Sequence, residues 1–178
     1  MDVHIRPYRQ EDTEAAFEAV RESLTELLQW MPWAHPEYSI ADTRSWIEAQ
    51  IPAFRDGTAY EFAVESDAGR YLGACGVNQI DQANRRANLG YWIRSGVTRQ
   101  GVATAAVRAV RDWAFEHTNL VRLEIVVAVG NVASERVAEK SGATREGTLR
   151  NRLFLHGAVR DAMMFSLTRD PPAGTSER

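Results

Sequence analysis

The sequence predicts a single α/β (α+β) domain, a mixed central sheet of about seven strands flanked by about four helices. Three observations carry that expectation. The chain has 178 residues, one domain's worth at ~100–200 residues per domain, with no internal repeat or linker. Its apolar residues alternate between helical and strand spacing, in the order β-α-α-β-β-β-α-β-α-β-β. Its composition, 44% hydrophobic and 25% charged, is that of a globular chain. A fold of this size buries about 70% of the surface that its unfolded chain exposes, so it needs no disulfide or metal staple.

Taken in order, Val3–Pro7 reads as an opening strand. Over residues 11–30, Ala15, Ala16, Val20, Leu24, Leu27 and Leu28 recur at helical spacing, with Asp12 or Thr13 placed to cap the start. Pro32 and Pro36 then forbid a continued helix. Helical spacing resumes over 39–54 with Trp46, Ile47 and Ile51, and ends near Gly57. Residues 60–65 and 70–80 are strands about the turn Asp67-Ala68-Gly69. A polar loop, 81–86, leads to a third strand over 87–93.

Residues 101–117 form the clearest helix, with Val102, Ala106, Ala109, Val110, Trp113 and Ala114 on one stripe. Residues 122–129, rich in Val and Ile, have the look of a strand buried on both faces, and Gly130-Asn131 ends it. A short helix over 133–140 closes at Ser141-Gly142, with Gly as the C-cap. Two last strands, 143–155 and 158–167, flank the His156-Gly157 turn. The domain thus spans 1–169, and 170–178, rich in Pro, Gly and Ser, is expected to be a frayed tail.

Charge and chemistry-bearing residues exclude several function classes. With 24 acidic and 21 basic side chains, the net charge of −3 gives no polyanion-attracting field, which argues against a nucleic-acid-coating protein. The basic residues are 20 Arg and only one Lys, Lys140, mostly a compositional bias. Cys75 is the only cysteine, so no intrachain disulfide or thiolate cluster can form; in an apolar strand, it reads as a small buried side chain. His4, His35, His117 and His156 show no i, i+4 pairing and no carboxylate cluster, and no metal site is expected. The N-terminus lacks an apolar signal region, and no apolar run approaches the ~20 residues of a membrane span. The chain reads as soluble and cytoplasmic, with neither membrane nor nucleic acid as partner.

One segment carries chemistry. The strand over 87–93 runs into Arg94-Ser95-Gly96-Val97-Thr98-Arg99-Gln100-Gly101-Val102-Ala103-Thr104, which opens the long helix. A small-residue loop at a helix N-terminus offers unpaired backbone N–H groups and the positive end of the helix dipole, an anion site suited to a pyrophosphate. Gly101 lets the backbone approach phosphates without a Cβ in the way, and Arg99 adds a fixed positive charge. No Gly-Lys-Ser/Thr follows, so this is not a P-loop. The second and third glycines of a dinucleotide fingerprint are also missing.

The context of that loop carries a family resemblance. Leu89-Gly90-Tyr91-Trp92-Ile93, Gly101-Val102-Ala103-Thr104-Ala105-Ala106, Asn131-Val132-Ala133-Ser134 and Arg145-Glu146-Gly147-Thr148-Leu149-Arg150 follow one another in order and spacing, with the tryptophans Trp30 and Trp33 around Met31-Pro32 upstream. The sequence resembles the GNAT superfamily of acyl-CoA-dependent N-acyltransferases, and more closely its RimJ/RimL branch, over nearly its whole length. The resemblance implies acetyl-CoA as cosubstrate and a direct attack of a neutral amine on the thioester. Backbone amides of Arg99, Gln100, Gly101, Val102, Ala103 and Thr104 would hold the pyrophosphate. The strand at Ile93 and Arg94 would splay from its neighbour and take the pantetheine as an added strand. An N–H near Ile93 would face the thioester oxygen, Asn131 would anchor the pantetheine, and Ser134 would donate to the departing thiolate.

Departures from the family's pattern bear on the acceptor. Thr98 stands where the family's loop pattern opens with Gln or Arg. Ala138 replaces a Tyr that many relatives use as general acid, and Asn88 replaces a Glu that some use as general base. Glu61 and Glu37 are the acids that would assist through water. Without a matched base, an α-amine of pKa ~8 suits the site better than a lysine near ~10.4. The expected acceptor is a protein or peptide N-terminal α-amine, with Trp30 and Trp33 as walls of its cleft. A small-molecule acetyltransferase acting on a polyamine, amino acid or antibiotic is the first alternative, and a non-catalytic acyl-CoA-binding module the second. The assembly is left open, a homodimer included.

Overall fold

A computed structural model describes residues 3–169, and the expected tail at 170–178 lies outside them. Its elements follow the expected order: β1 (Val3–Pro7), α1 (Thr13–Trp30), α2 (Ile40–Asp56), β2 (Tyr60–Ser66), β3 (Tyr71–Asp81), β4 (Arg86–Ile93), α3 (Val102–His117), β5 (Arg122–Ala128), α4 (Val132–Lys140), β6 (Thr144–Leu155) and β7 (Ala158–Thr168). Seven strands form one sheet in the order β1-β2-β3-β4-β5-β7-β6. Every neighbouring pair is antiparallel except β4 and β5. The β4–α3–β5 crossover makes that one parallel pair, as a helical connection between strands commonly does.

α1 buries Ala16, Ala19, Val20, Ser23 and Leu27, at i, i+3, i+4, i+7 and i+11. The capping expectation needs a correction. A turn of 3-10 helix, Gln10–Asp12, precedes α1, and no side chain caps α1 itself. Asp12 instead accepts from the Arg9 backbone N–H at 2.8 Å and from the Arg6 guanidinium at 2.7 and 2.6 Å. α2 starts where Asp42 accepts from the Ser39 backbone N–H at 2.8 Å, and ends on Gly57, whose φ of 73° needs no Cβ.

The sheet carries two unlike faces. Toward α3, Phe62, Val64, Cys75, Val77 and Leu89 pack with Val107, Val110 and Leu123 in the main core. Toward α1 and α2, Ala63 and Ala74 pack with Ala16, Ala19 and Ile47, and the larger Tyr71 and Trp92 stand beside them. Small residues at Ala63, Ala74 and Gly90, between the bulkier Tyr71 and Trp92, leave room for a hollow beneath α1 and α2.

Two details differ from the sequence reading. β5 is not buried on both faces: Leu123, Ile125 and Val127 are buried, but Glu124 and Val126 are half-exposed. Glu124 is held there by Arg86 at 3.1 Å and Arg122 at 2.8 Å. α4 is capped by Ser141, with Gly142 one residue beyond in the left-handed region at φ 91°.

Candidate active site

The site begins with a parting of strands. Parallel pairing joins Arg86 to Arg122, Ala87 to Leu123 and Asn88 to Glu124, and then stops. β4 stays with β3 as far as Ile93 opposite Gly73, and the Arg94 N–H donates to the Leu72 carbonyl at 2.8 Å. β5 stays with β7 as far as Ala128 opposite Ala162. Each strand follows its antiparallel partner, and a gap opens between them. Backbone groups alternate sides along a strand. With Arg94 N–H turned toward β3, Ile93 N–H faces the gap.

The loop into α3 forms the second wall. Arg99 and Gly101 both take left-handed backbone, at φ 63° and 82°. The first helical bond of α3 runs from Ala105 N–H to the Gly101 carbonyl at 3.0 Å, and no side chain caps the start. The N–H groups of the first turn are therefore free to meet an anion. A Cβ built on Gly101 would meet nothing within 4 Å, so the approach to these amides is open. An unfilled strand edge beside a ring of backbone donors fits the amides and pyrophosphate of a CoA molecule.

Arg94 is held unlike its neighbours. Its side chain is 4% exposed and points into the protein. Its Nε donates to Glu22 at 3.0 Å, Nη2 pairs with the same carboxylate, and Nη1 donates to the Tyr71 carbonyl at 3.1 Å. Glu22 also accepts from Gly96 N–H at 2.8 Å, and Ser23 Oγ accepts from Ser95 N–H at 2.9 Å. Arg94 and its loop are thus pinned to α1, and neither its guanidinium nor its N–H faces the gap. The Arg94 hydrogen bond holds the Glu22 carboxyl below its ordinary range.

Asn131 and Ser134 stand at the start of α4. Asn131 Oδ1 accepts from Ser134 N–H at 3.2 Å, a cap that leaves the amide nitrogen without a partner among the described residues. The Ser134 hydroxyl lies 2.9 Å from Tyr91 Oη, which also donates to the Ser134 carbonyl at 3.0 Å. Burial pushes the Tyr91 hydroxyl well above its usual range, the Ser134 bond opposing it. Tyr91 is therefore a neutral donor near pH 7. Sequence reading singled out Ser134 but not this partner on β4, 43 residues away.

Beneath α1 and α2 lies a cavity of about 450 Å³, whose lining includes Trp33, Tyr38, Trp46, Tyr71, Trp92 and Glu61. The Trp33 ring centroid stands 5.7 Å from that of Tyr38 and 6.1 Å from that of Trp92. Trp30 is not part of this wall. The chain leaves α1 in extended conformation at Met31, which brings Met31 and Trp33 to the cavity instead. Of the two candidate assisting acids, Glu61 lines the cavity and Glu37 does not. A more open, polar hollow of about 610 Å³, which Arg111, Phe115 and Arg169 help to line, lies away from this gap.

Comparison with known proteins gives this arrangement its class. Residues 2–144 match the family described as Acetyltransferase (GNAT) domain. YdaF of Bacillus subtilis (strain 168) is 33% identical over 170 residues, which cover 94% of this chain and 91% of YdaF. The ribosomal-protein-serine acetyltransferase of Escherichia coli (strain K12) is 26% identical over 150 residues, 84% of this chain and 83% of that enzyme. The solved structure of Mycobacterium smegmatis RimJ in complex with CoA-disulfide aligns at a TM-score of 0.85 and 28% identity, over 93% of this chain and 81% of that one. The chain belongs to the GNAT acetyltransferase family. Within it, the chain is an acetyl-CoA-dependent N-acyltransferase of the RimJ/RimL kind.

Proposed function

We propose that the protein acetylates the N-terminal α-amine of a protein or peptide. The observation that carries this reading is the junction of the β4/β5 gap with the aromatic cavity. Tyr91 lines that cavity and bonds to Ser134, so acceptor and donor sides meet at β4. The E. coli relative, a ribosomal-protein-serine acetyltransferase, supports a protein acceptor.

When bound, acetyl-CoA supplies a thioester whose acetyl group an amine nitrogen can take. The residues of this chain then divide the work. Backbone amides from Arg99 to Thr104 hold the pyrophosphate, and Asn131 steadies the pantetheine arm through its free amide nitrogen. Ile93 N–H donates to the oxygen on which negative charge develops. Ser134 donates its one proton to the departing sulfur, and Tyr91 backs it when the phenol proton turns from the Ser134 carbonyl to Ser134 Oγ. Trp33 and its neighbours Tyr38 and Trp92 hold the acceptor chain and exclude water. Arg94 acts one step back, fixing the loop from below through Glu22.

Thiol release from acetyl-CoA tests the acceptor directly. Peptides with a free N-terminus should turn over, and N-blocked peptides with a free lysine should not. Faster turnover of the blocked lysine peptides, or of small amines alone, would replace this reading; CoA binding without thiol release from any amine would leave a binding module. We place the enzyme in the cytoplasm, where acetyl-CoA is at hand. Among the described residues no helix is long and apolar enough to cross a membrane. The assembly stays open between monomer and homodimer, and light scattering in solution decides between them.

A further inference from the structure

Glu61 is a carboxylate set into the sheet where most proteins would place a hydrophobic residue. Across the strands, Glu61 stands opposite Gly76, and Gly76 opposite Gly90. Facing residues of neighbouring strands share a side of the sheet, so two glycines in a row lie beside Glu61 on the cavity side. The carboxylate occupies that space. A Cβ on Gly76 would lie 2.0 Å from Glu61 Oε2, while one on Gly90 would meet only Asn88 Nδ2 at 3.7 Å. The path from Glu61 toward the open side of β4 is thus clear of side chains.

The two carboxylate oxygens are treated differently. Asn78 Nδ2 donates to Oε1 at 2.8 Å, and Asn88 Nδ2 in turn donates to Asn78 Oδ1 at 2.9 Å. Oε2 makes no hydrogen bond among the described residues. No buried side-chain nitrogen or oxygen among them lacks a partner, so Oε2 opens into the cavity that Glu61 lines. Among the described residues no arginine, lysine or histidine pairs with it.

We propose that Glu61 is the group that receives the acceptor's ammonium proton, binding the incoming amine through Oε2 and taking one N–H proton before the nitrogen attacks. The inference rests on the acetyltransfer reading above and adds the base that Asn88 cannot supply. One ammonium proton moves to Oε2, and the nitrogen lone pair then forms the C–N bond. The C–S bond breaks with its electron pair on sulfur, which ends protonated at the expense of the second N–H. Glu61 returns its proton to water as product leaves.

The surroundings favour proton uptake by Glu61. Burial raises the Glu61 carboxyl above its ordinary range, with the Asn78 bond opposing. The ionisable groups around it are the Tyr8 and Tyr71 hydroxyls, 2.6 Å from each other, the buried Cys75 thiol on β3, and Tyr38, His35 and Asp42 across the cavity. Burial pushes both Tyr8 and Tyr71 upward, which leaves them neutral when Glu61 titrates.

The test is Glu61→Gln, which retains an acceptor for Asn78, assayed with acetyl-CoA and a free N-terminal peptide across pH. We expect kcat/KM at neutral pH to fall ~10²–10⁴-fold, with the KM for acetyl-CoA unchanged. The loss should shrink as pH passes the α-amine pKa of ~8, where the nucleophile deprotonates unaided. Activity close to wild type with the same pH profile would overturn the proposal, as would a loss equal at every pH. Gly90→Val is a second arm, since its side chain enters open space between Glu61 and the gap. It should melt like wild type yet lose acceptor kcat/KM, and undiminished turnover would also count against Glu61. If the wild-type enzyme acetylates no amine at all, the acetyltransfer reading falls first; turnover that ignores both variants sinks Glu61 alone.

Discussion

Ser134 and Tyr91 form one unit, because the two hydroxyls lie within 2.9 Å and Tyr91 also grips the Ser134 carbonyl. Ser134→Ala should lower kcat more than it raises KM, since the contact to sulfur strengthens as charge develops there. Tyr91→Phe should lower kcat by about tenfold, and the double variant should lose less than the product of the two single losses, as groups acting as a unit do. Steady-state kinetics on the three variants checks this, and strictly multiplicative losses would separate the pair. Glu61 makes an opposite kind of prediction. Its folded pKa lies above the unfolded one, so the stability it contributes is full below the unfolded pKa and is lost as pH rises through the folded value. At pH 7 Glu61→Gln should therefore melt at or above the wild-type temperature while losing activity, a trade seen where function burdens the fold. Ser134 and Gly101 could be picked out from sequence because their local motifs are contiguous. Tyr91 with Ser134, and Arg94 with Glu22 72 residues apart, could not, because only the folded chain brings them together.

At the scale of elements, the start of α3 and the loop before it are positioned from two directions. From outside, Gly101 holds a left-handed turn that an L side chain adopts at a cost of about 1–3 kcal/mol. Gly101→Val should weaken CoA binding sharply, by calorimetry, while the circular dichroism of the fold persists; unchanged affinity would move the pyrophosphate elsewhere. From inside, α1 ties the loop down through Glu22 and Ser23. Glu22→Ala leaves the buried Arg94 with the Tyr71 carbonyl and the more distant Glu18 carboxylate at 3.7 Å, and should cost about 1–3 kcal/mol in denaturant melts. Because the Glu22 carboxyl is lowered in the folded state, this tie is full above its unfolded pKa and is lost as pH falls. Helices and strands were legible because periodicity is a local property. The half-exposure of β5 and the absence of Trp30 from the cavity wall were not, since neighbouring layers and a backbone turn at Met31 decide them.

At the scale of the molecule, acid should act on carboxylates spread over both ends of the sheet. Asp12 is held low, against burial, chiefly by Arg6, and Glu146 is lowered to about 2, first by Arg122 and then by Ser166. Both contribute stability that is present above their unfolded values and lost as pH falls. Melting temperature should therefore decline from pH ~4.5 downward, toward the value near 2 at which Glu146 titrates. A melting temperature flat over that range would remove the carboxylates from the account.

The same sheet is two blankets joined by a short seam. β1 to β4 are stitched together on one side and β5 to β7 on the other, and across the join run only three residue pairs, from Arg86–Arg122 to Asn88–Glu124. A cosubstrate lying in the opening would extend that seam. Without it, the two blocks are held across the join by that seam and by the core that Leu89 shares with Leu123, and the strand ends beyond the seam are where local opening should come most easily. Native-state hydrogen exchange should show unequal protection in β4 and β5 in the free enzyme, and a common, higher protection once CoA is added. On this view the cosubstrate is also a part of the scaffold, filling the strand edge that the sheet itself leaves open.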